Sequence, residues 1–159
     1  MPNIYPPAAF SFLLEYSANK NTADAAFQEV SGISSELGSE EVREGGENRF
    51  LFQLPLPAKH SNLVLKRGLI TYGSDLATWC KNTIETDFGS AFVVQDITVS
   101  LINISGVKLI SWVFESAWPI KWNVSTFNSQ ENTLAIETIE FAYRTFTKKY
   151  ITPPPVPPK

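Results

Sequence analysis

Asp96-Ile97-Thr98-Val99-Ser100-Leu101 places an apolar residue at every second position, with polar residues between them. Successive side chains of an extended strand point to opposite faces. This spacing therefore builds a strand with one buried and one polar face. The same period returns on both sides. Upstream, Phe10, Phe12, Leu14 and Tyr16 alternate with Ser11, Leu13 and Glu15. Leu63 and Leu65 alternate with Val64 and Lys66, and Gly68 closes that strand. Phe27 to Ile33 reads as another strand, with Gly32 marking a bulge or a close approach of two backbones. Downstream, Lys108, Ile110, Trp112 and Phe114 share one face, and Ala117-Trp118-Pro119 bends the chain. Leu134 and Ile136 alternate in one phase, whereas Ile139, Phe141 and Tyr143 alternate in the other. Such a phase switch predicts a bulge, or a strand whose buried face changes partway.

Only one segment carries helical spacing. Ser74 is a good N-cap, Asp75 sits where the helix dipole favours an anion, and Leu76, Trp79, Cys80, Thr83 and Ile84 recur on one side. The helix is placed at about Ser74 to Glu85. Phe50, Phe52 and Leu54 alternate until Pro55 and Pro57, which are expected to stop pairing. Seven or eight strands and one helix give a mainly β fold: an antiparallel sandwich or small barrel with one helix packed outside it. Residues 1–151 form one expected domain. The proline-rich tail, Thr152 to Lys159, is expected to be extended and polyproline-like.

The 159 residues are 43% hydrophobic and 18% charged, ordinary for a folded chain, and 13% aromatic, which suits strands. A net charge of −3 lacks the cationic footprint of a nucleic-acid binder. The charge is concentrated. Between Ser35 and Arg49, Glu36, Glu40, Glu41, Glu44 and Glu47 face only Arg43 and Arg49. The single cysteine, Cys80, permits no intrachain disulfide and fits a reducing cytosol. Met1 to Pro7 carries no basic start or long apolar run, so no signal peptide is expected, and no stretch approaches a membrane span.

No catalytic, cofactor-binding or metal constellation emerges. His60 is the lone histidine, in a polar stretch read as a solvated loop, and Cys80 lies on the helix's apolar stripe. Asp87-Phe88-Gly89 lacks the glycine-rich and catalytic loops that give this tripeptide meaning in kinases. Gly45-Gly46 is a turn without the Lys-Ser or Lys-Thr of a phosphate cradle. Glu40 and Glu41 are strand neighbours pointing to opposite faces, so they do not converge on one proton. Trp79, Trp112, Trp118 and Trp122 suit core or interface packing better than a sugar platform. A carbohydrate-binding sandwich using Trp118 and Trp122 is the remote alternative.

Several segments together resemble a known family. Phe27-Gln28-Glu29-Val30-Ser31-Gly32-Ile33 is similar to the F-x-x-V-S-G-L strand of tail tube proteins. Glu44-Gly45-Gly46-Glu47-Asn48 is similar to their E-G-G-x-N turn, and Asn62 to Gly68 to their N-(L/I)-x-L-K-R-G strand. Ala117 to Trp122 resembles A-(W/F)-P-x-K-W, and Ile136 to Phe141 resembles the closing strand. Trp79 falls where the family's helix carries its tryptophan. The resemblance runs in order from about residue 8 to 147; Pro6-Pro7 and the tail after Tyr150 diverge. It implies the fold of phage tail tubes and of the ring protein of type VI secretion. It also implies hexameric rings stacked into a hollow tube inside a contractile sheath, with sheath, spike, hub or baseplate proteins as partners and cargo in the lumen. Such a protein is made in the bacterial cytoplasm and built into a phage tail or tail-like particle, without inserting into membranes itself. A close variant is the tube-initiator subunit that joins spike to tube.

Within that reading, the acidic window is the candidate contact between rings. Arg43 and Arg49 would meet carboxylates of the next ring, Glu40, Glu41, Glu44 and Glu47 would supply the opposite charge, and Phe50 and Phe52 would anchor the base in the core. A surface loop is the competing reading. Lys66 and Arg67 form a second candidate patch, against the reading of a low-value surface pair. The Thr98 and Ser100 face, or the Thr138 and Glu140 face, would suit a smooth lumen.

Overall fold

The computed structural model describes residues 10–16, 26–43, 45–46, 49–69, 73–86, 89, 93–126, 130 and 134–151. The proline-rich tail and the N-terminal segment lie outside them. The described strands are β1 (Phe10–Tyr16), β2 (Ala26–Phe27), β3 (Glu29–Ser31), β4 (Ser35–Val42), β5 (Phe52–His60), β6 (Leu63–Gly68), β7 (Gln95–Asn103), β8 (Lys108–Val124), β9 (Ile136–Ala142) and β10 (Thr145–Tyr150). The helix α1 spans Asp75–Ile84.

All pairings are antiparallel, and the main sheet runs β2-β1-β7-β8-β9-β6-β3. Its two ends are one chain segment. Phe27 pairs with Phe12 of β1. One residue later the Gln28 amide donates to the Lys66 carbonyl at 2.9 Å, and Glu29 to Ser31 pair with β6. Residues 26–31 thus stitch both edges together, and the sheet curls into a barrel. Closure pairs the two ends of this path, which an open sheet would leave free, while β10 lies off it and pairs with β8.

The 17-residue β8 is the longest strand and serves both halves of the barrel. Its first half lies between β7 and β10, and its second half pairs with β9. It bends at Ser116, a non-glycine residue at φ 52°. Left-handed backbone is costly for such a residue. The Ser116 amide donates to Asp96 Oδ1 at 2.8 Å, which holds the bend. The partner strand breaks at the same level. Between β9 and β10 the Arg144 amide donates to the Glu115 carbonyl at 3.0 Å. The expected bend at Ala117-Trp118-Pro119 therefore takes the form of a continuous strand, with Ser116 turning it and a register shift between Pro119 and Lys121.

Inside the barrel, Leu14, Tyr16, Ile97, Val99 and Phe114 from one half meet Leu63, Leu65, Ile139 and Phe141 from the other, all buried. These are the residues that alternation selects. Leu134 is exposed and precedes β9, so the phase switch marks a strand start; Glu137, Ile139 and Phe141 share the buried phase. Ser74 caps α1 by accepting from the Ala77 amide at 3.2 Å. The helix buries Leu76, Trp79 and Cys80. Trp79 stacks on Tyr16 at 6.1 Å and lies 5.7 Å from Phe141, so α1 completes the barrel's own core.

Candidate assembly surfaces

Among the described residues, the strands β4 and β5 pair with each other alone, as a two-stranded ribbon separate from the barrel sheet. Val42 faces Phe52, and Glu40 faces Leu54. Leu56 side-chain atoms lie beside Gly38 on that same face. Val42, Phe52, Leu54 and Leu56 therefore form an apolar stripe carrying Glu40. Phe50 extends the stripe, with its ring edge-on to Phe52 at 5.1 Å. Leu54 remains 53% exposed and Phe50 54%. The opposite face carries Ser39, Glu41 and Gln53. An apolar stripe left in water this way marks an interaction surface.

Contacts among the described residues fix the ribbon's root. Gly32 has φ 82°, and a Cβ there would lie 1.8 Å from the Asn62 carbonyl oxygen. Only glycine lets the entering and leaving strands come this close, as the sequence reading expected. Ser34 Oγ donates to Ser61 Oγ at 2.7 Å. The His60 ring packs against Tyr143 and Phe146 at 5.7 and 5.5 Å.

Glu40, Glu41, Arg43 and Arg49 are all exposed, the first three on or beside the ribbon. Glu44 and Glu47 lie outside the described residues. Three expectations need correction here. Phe50 and Phe52 do not anchor the ribbon in the core, because both point into water. Pro55 and Pro57 do not end the pairing: β5 continues to His60. Pro55 pairs opposite Ser39, and Pro57 falls in the bulge between Pro55 and Ala58, a place that tolerates a missing N–H. His60 accordingly ends a strand and is half-buried, not a loop residue in water.

The second candidate patch splits. Lys66 is partly exposed and its Nζ lies 2.8 Å from Glu29 Oε1 on the adjacent strand. Arg67 is no surface residue. Its relative exposure is 2%, its Nε donates to Glu137 Oε2, and its guanidinium lies 5.1 Å from the Phe27 ring centroid. Trp122 Nε1 donates to the other oxygen of Glu137 at 2.7 Å. Arg67 turns inward because inward-facing positions of β6 alternate, and Leu63, Leu65 and Arg67 share that phase. The Thr98 and Ser100 face fares similarly. Ser100 is fully buried, hydrogen-bonded to Ser111 at 2.8 Å, so it cannot line a lumen. Glu140 accepts from Asn62 Nδ2 at 2.8 Å.

Beyond Gly68, at the other end of β6, lies a groove of about 440 Å³. Leu69, Ala77, Trp122 and Val124 line it, Lys81 stands at its rim, and Arg67 and Glu137 form its floor. Sequence reading missed both this groove and the ribbon's apolar stripe; the alternation that continues past Pro55 to Leu56 was the available signal for the stripe. Among the described residues no group of three or more His, Cys, Asp and Glu is placed to hold a metal ion.

Residues 8–147 match the model of the family described as T4-like virus tail tube protein gp19. No curated protein matches the sequence. Among solved structures, the chain is similar to one in the six-fold symmetrised baseplate of the anti-feeding prophage, at 25% identity and TM-score 0.75. The likeness covers 94% of this chain and 98% of that one. A chain of the PVC extracellular contractile injection system, from the sheath-tube complex in its extended state, gives TM-score 0.75 at 23% identity, covering 94% and 95%. Hcp1 from Flavobacterium johnsoniae shares the fold at TM-score 0.53 and 17% identity, covering 87% and 94%.

Proposed function

The chain belongs to the T4-like virus tail tube protein family, and on that premise we propose that it is a ring-forming subunit of the inner tube of a contractile injection system. Six copies form a ring, and rings stack into a hollow conduit that a sheath surrounds. The observation that carries this reading is the ribbon. Its apolar stripe is wasted on a monomer but is buried when a second copy covers it. Stacking places the ribbon between rings, where Glu40, Glu41, Arg43 and Arg49 select the register of the contact by charge. The six-fold symmetry of the related baseplate supports the ring number.

The same baseplate likeness favours a second reading, in which the chain starts the tube at the baseplate instead of repeating along it. The two differ in copy number. Quantitative mass spectrometry of purified particles is expected to find many copies of this chain per baseplate if it is the repeating subunit, and one or two rings if it is the initiator. Negative-stain microscopy of the purified chain is expected to show six-membered rings. A protein that stays monomeric alone and when mixed with the particle's other tube components would overturn the reading.

A further inference from the structure

We propose that the apolar stripe of the ribbon seats in the groove beside α1 of a second copy of this chain, in the neighbouring ring. The inference rests on the ring-stacking reading and adds the receiving surface. Position comes first. The ribbon leaves the barrel at His60, three residues before β6 begins, whereas the groove starts at Leu69, just past its end. Five residue steps at about 3.3 Å each separate Leu63 from Gly68, so root and groove lie about 16 Å apart along one strand. Ribbon root and groove thus sit at opposite ends of β6, as a contact between two copies in the same orientation requires. That is a head-to-tail contact, which repeats without closing.

Chemistry agrees with position. The stripe offers Phe50, Phe52, Leu54 and Val42, and the groove offers Leu69, Ala77, Trp122 and Val124. Aromatic anchors filling an apolar cleft are the usual strong points of an interface. The polar floor needs nothing from outside, because Arg67 and Glu137 already pair there and Trp122 donates to Glu137. Charge adds to this on each side. Glu36 sits opposite Lys59 on the ribbon, which leaves Glu40 among the apolar side chains. At the groove's rim stands Lys81, its side chain 63% exposed and its Nζ 4.0 Å from Glu85 Oε2, a pair open to water. A ribbon-on-ribbon contact would instead set Glu40 against Glu40 and is disfavoured by repulsion.

The test uses the full chain and compares rings with stacks. Lys81→Glu is expected to leave rings intact and abolish stacking; adding Glu40→Lys in the same chain is expected to restore it. Neither site is in the core, so both variants should fold. Separately, chains carrying Leu54→Cys and chains carrying Thr78→Cys are mixed, assembled and mildly oxidised. A disulfide-linked dimer is expected in the mixture and absent from either chain alone. Normal stacking by Lys81→Glu, or stacks that yield no mixed disulfide, would overturn the pairing while leaving the tube reading in place. An unsubstituted chain that forms no rings would overturn the tube reading itself, and the pairing with it.

Discussion

Glu137 takes two donors inside the protein, Arg67 on one oxygen and the Trp122 indole on the other. Removing one member of a buried ion pair leaves the other charged and unpaired, at about 3–5 kcal/mol. Glu137→Ala is therefore expected to lower stability by that amount in urea unfolding, whereas Arg67→Met with Glu137→Leu should recover most of it. The pair was not legible in the sequence. Charged residues at the ends of strands usually face water, and nothing local shows that Arg67 and Glu137 face each other across 70 residues. Tyr143 is a second residue-scale case. Its hydroxyl is buried with no hydrogen-bond partner among the described residues, and burial pushes its pKa above the ordinary value of about 10. The fold accommodates the neutral phenol. Its stabilising contribution is complete below pH about 10 and is lost as pH rises through the folded-state value. Tyr143→Phe is expected to keep or raise stability at neutral pH and to delay alkaline unfolding, measured as melting temperature between about pH 9 and 12.

At the scale of elements, periodicity was a good guide wherever an element buries its own face. β7, β6 and α1 lie where Ile97, Leu65 and the Ser74 cap place them, because their patterns are local. Ser74→Ala should cost about 1 kcal/mol in thermal unfolding, the usual loss of an N-cap. The ribbon was read less well. Phe50 and Phe52 look like core residues, since alternation reports that a face is buried without naming the chain that buries it. Pro55 and Pro57 look like stops, since one strand's sequence does not show which of its amides face a partner. The ribbon's stripe should contribute little to the subunit's own stability. Phe52→Ser is expected to change it by no more than about 0.5 kcal/mol, while abolishing stacking in electron micrographs. Gly32→Ala is expected to do the reverse and damage the fold, because a Cβ there meets the Asn62 carbonyl in a left-handed backbone. Soluble yield and melting temperature check that difference.

Across the whole molecule, closure depends on six residues that change partners at Gln28. The sequence shows a strand at Phe27 to Ile33 but not that its two halves serve opposite edges, since that pairing joins distant segments. Gln28→Pro removes the amide that reaches Lys66 and is expected to lower the unfolding midpoint sharply, with little loss of α1 helicity. Because β1 pairs with β7 and β6 with β9, each across about 70 residues or more, folding is expected on the millisecond-to-second scale in stopped-flow refolding. The ribbon's attachment has a mechanical meaning as well. A closed barrel resists deformation, but the ribbon joins it through Gly32, the Ser34–Ser61 hydrogen bond and the packing of His60. If rings stack as proposed, such joints would couple them as stiff discs through springs in series. Bending or axial shock would then be absorbed as small rotations at the ribbon roots, and the bore through each ring would keep its cross-section.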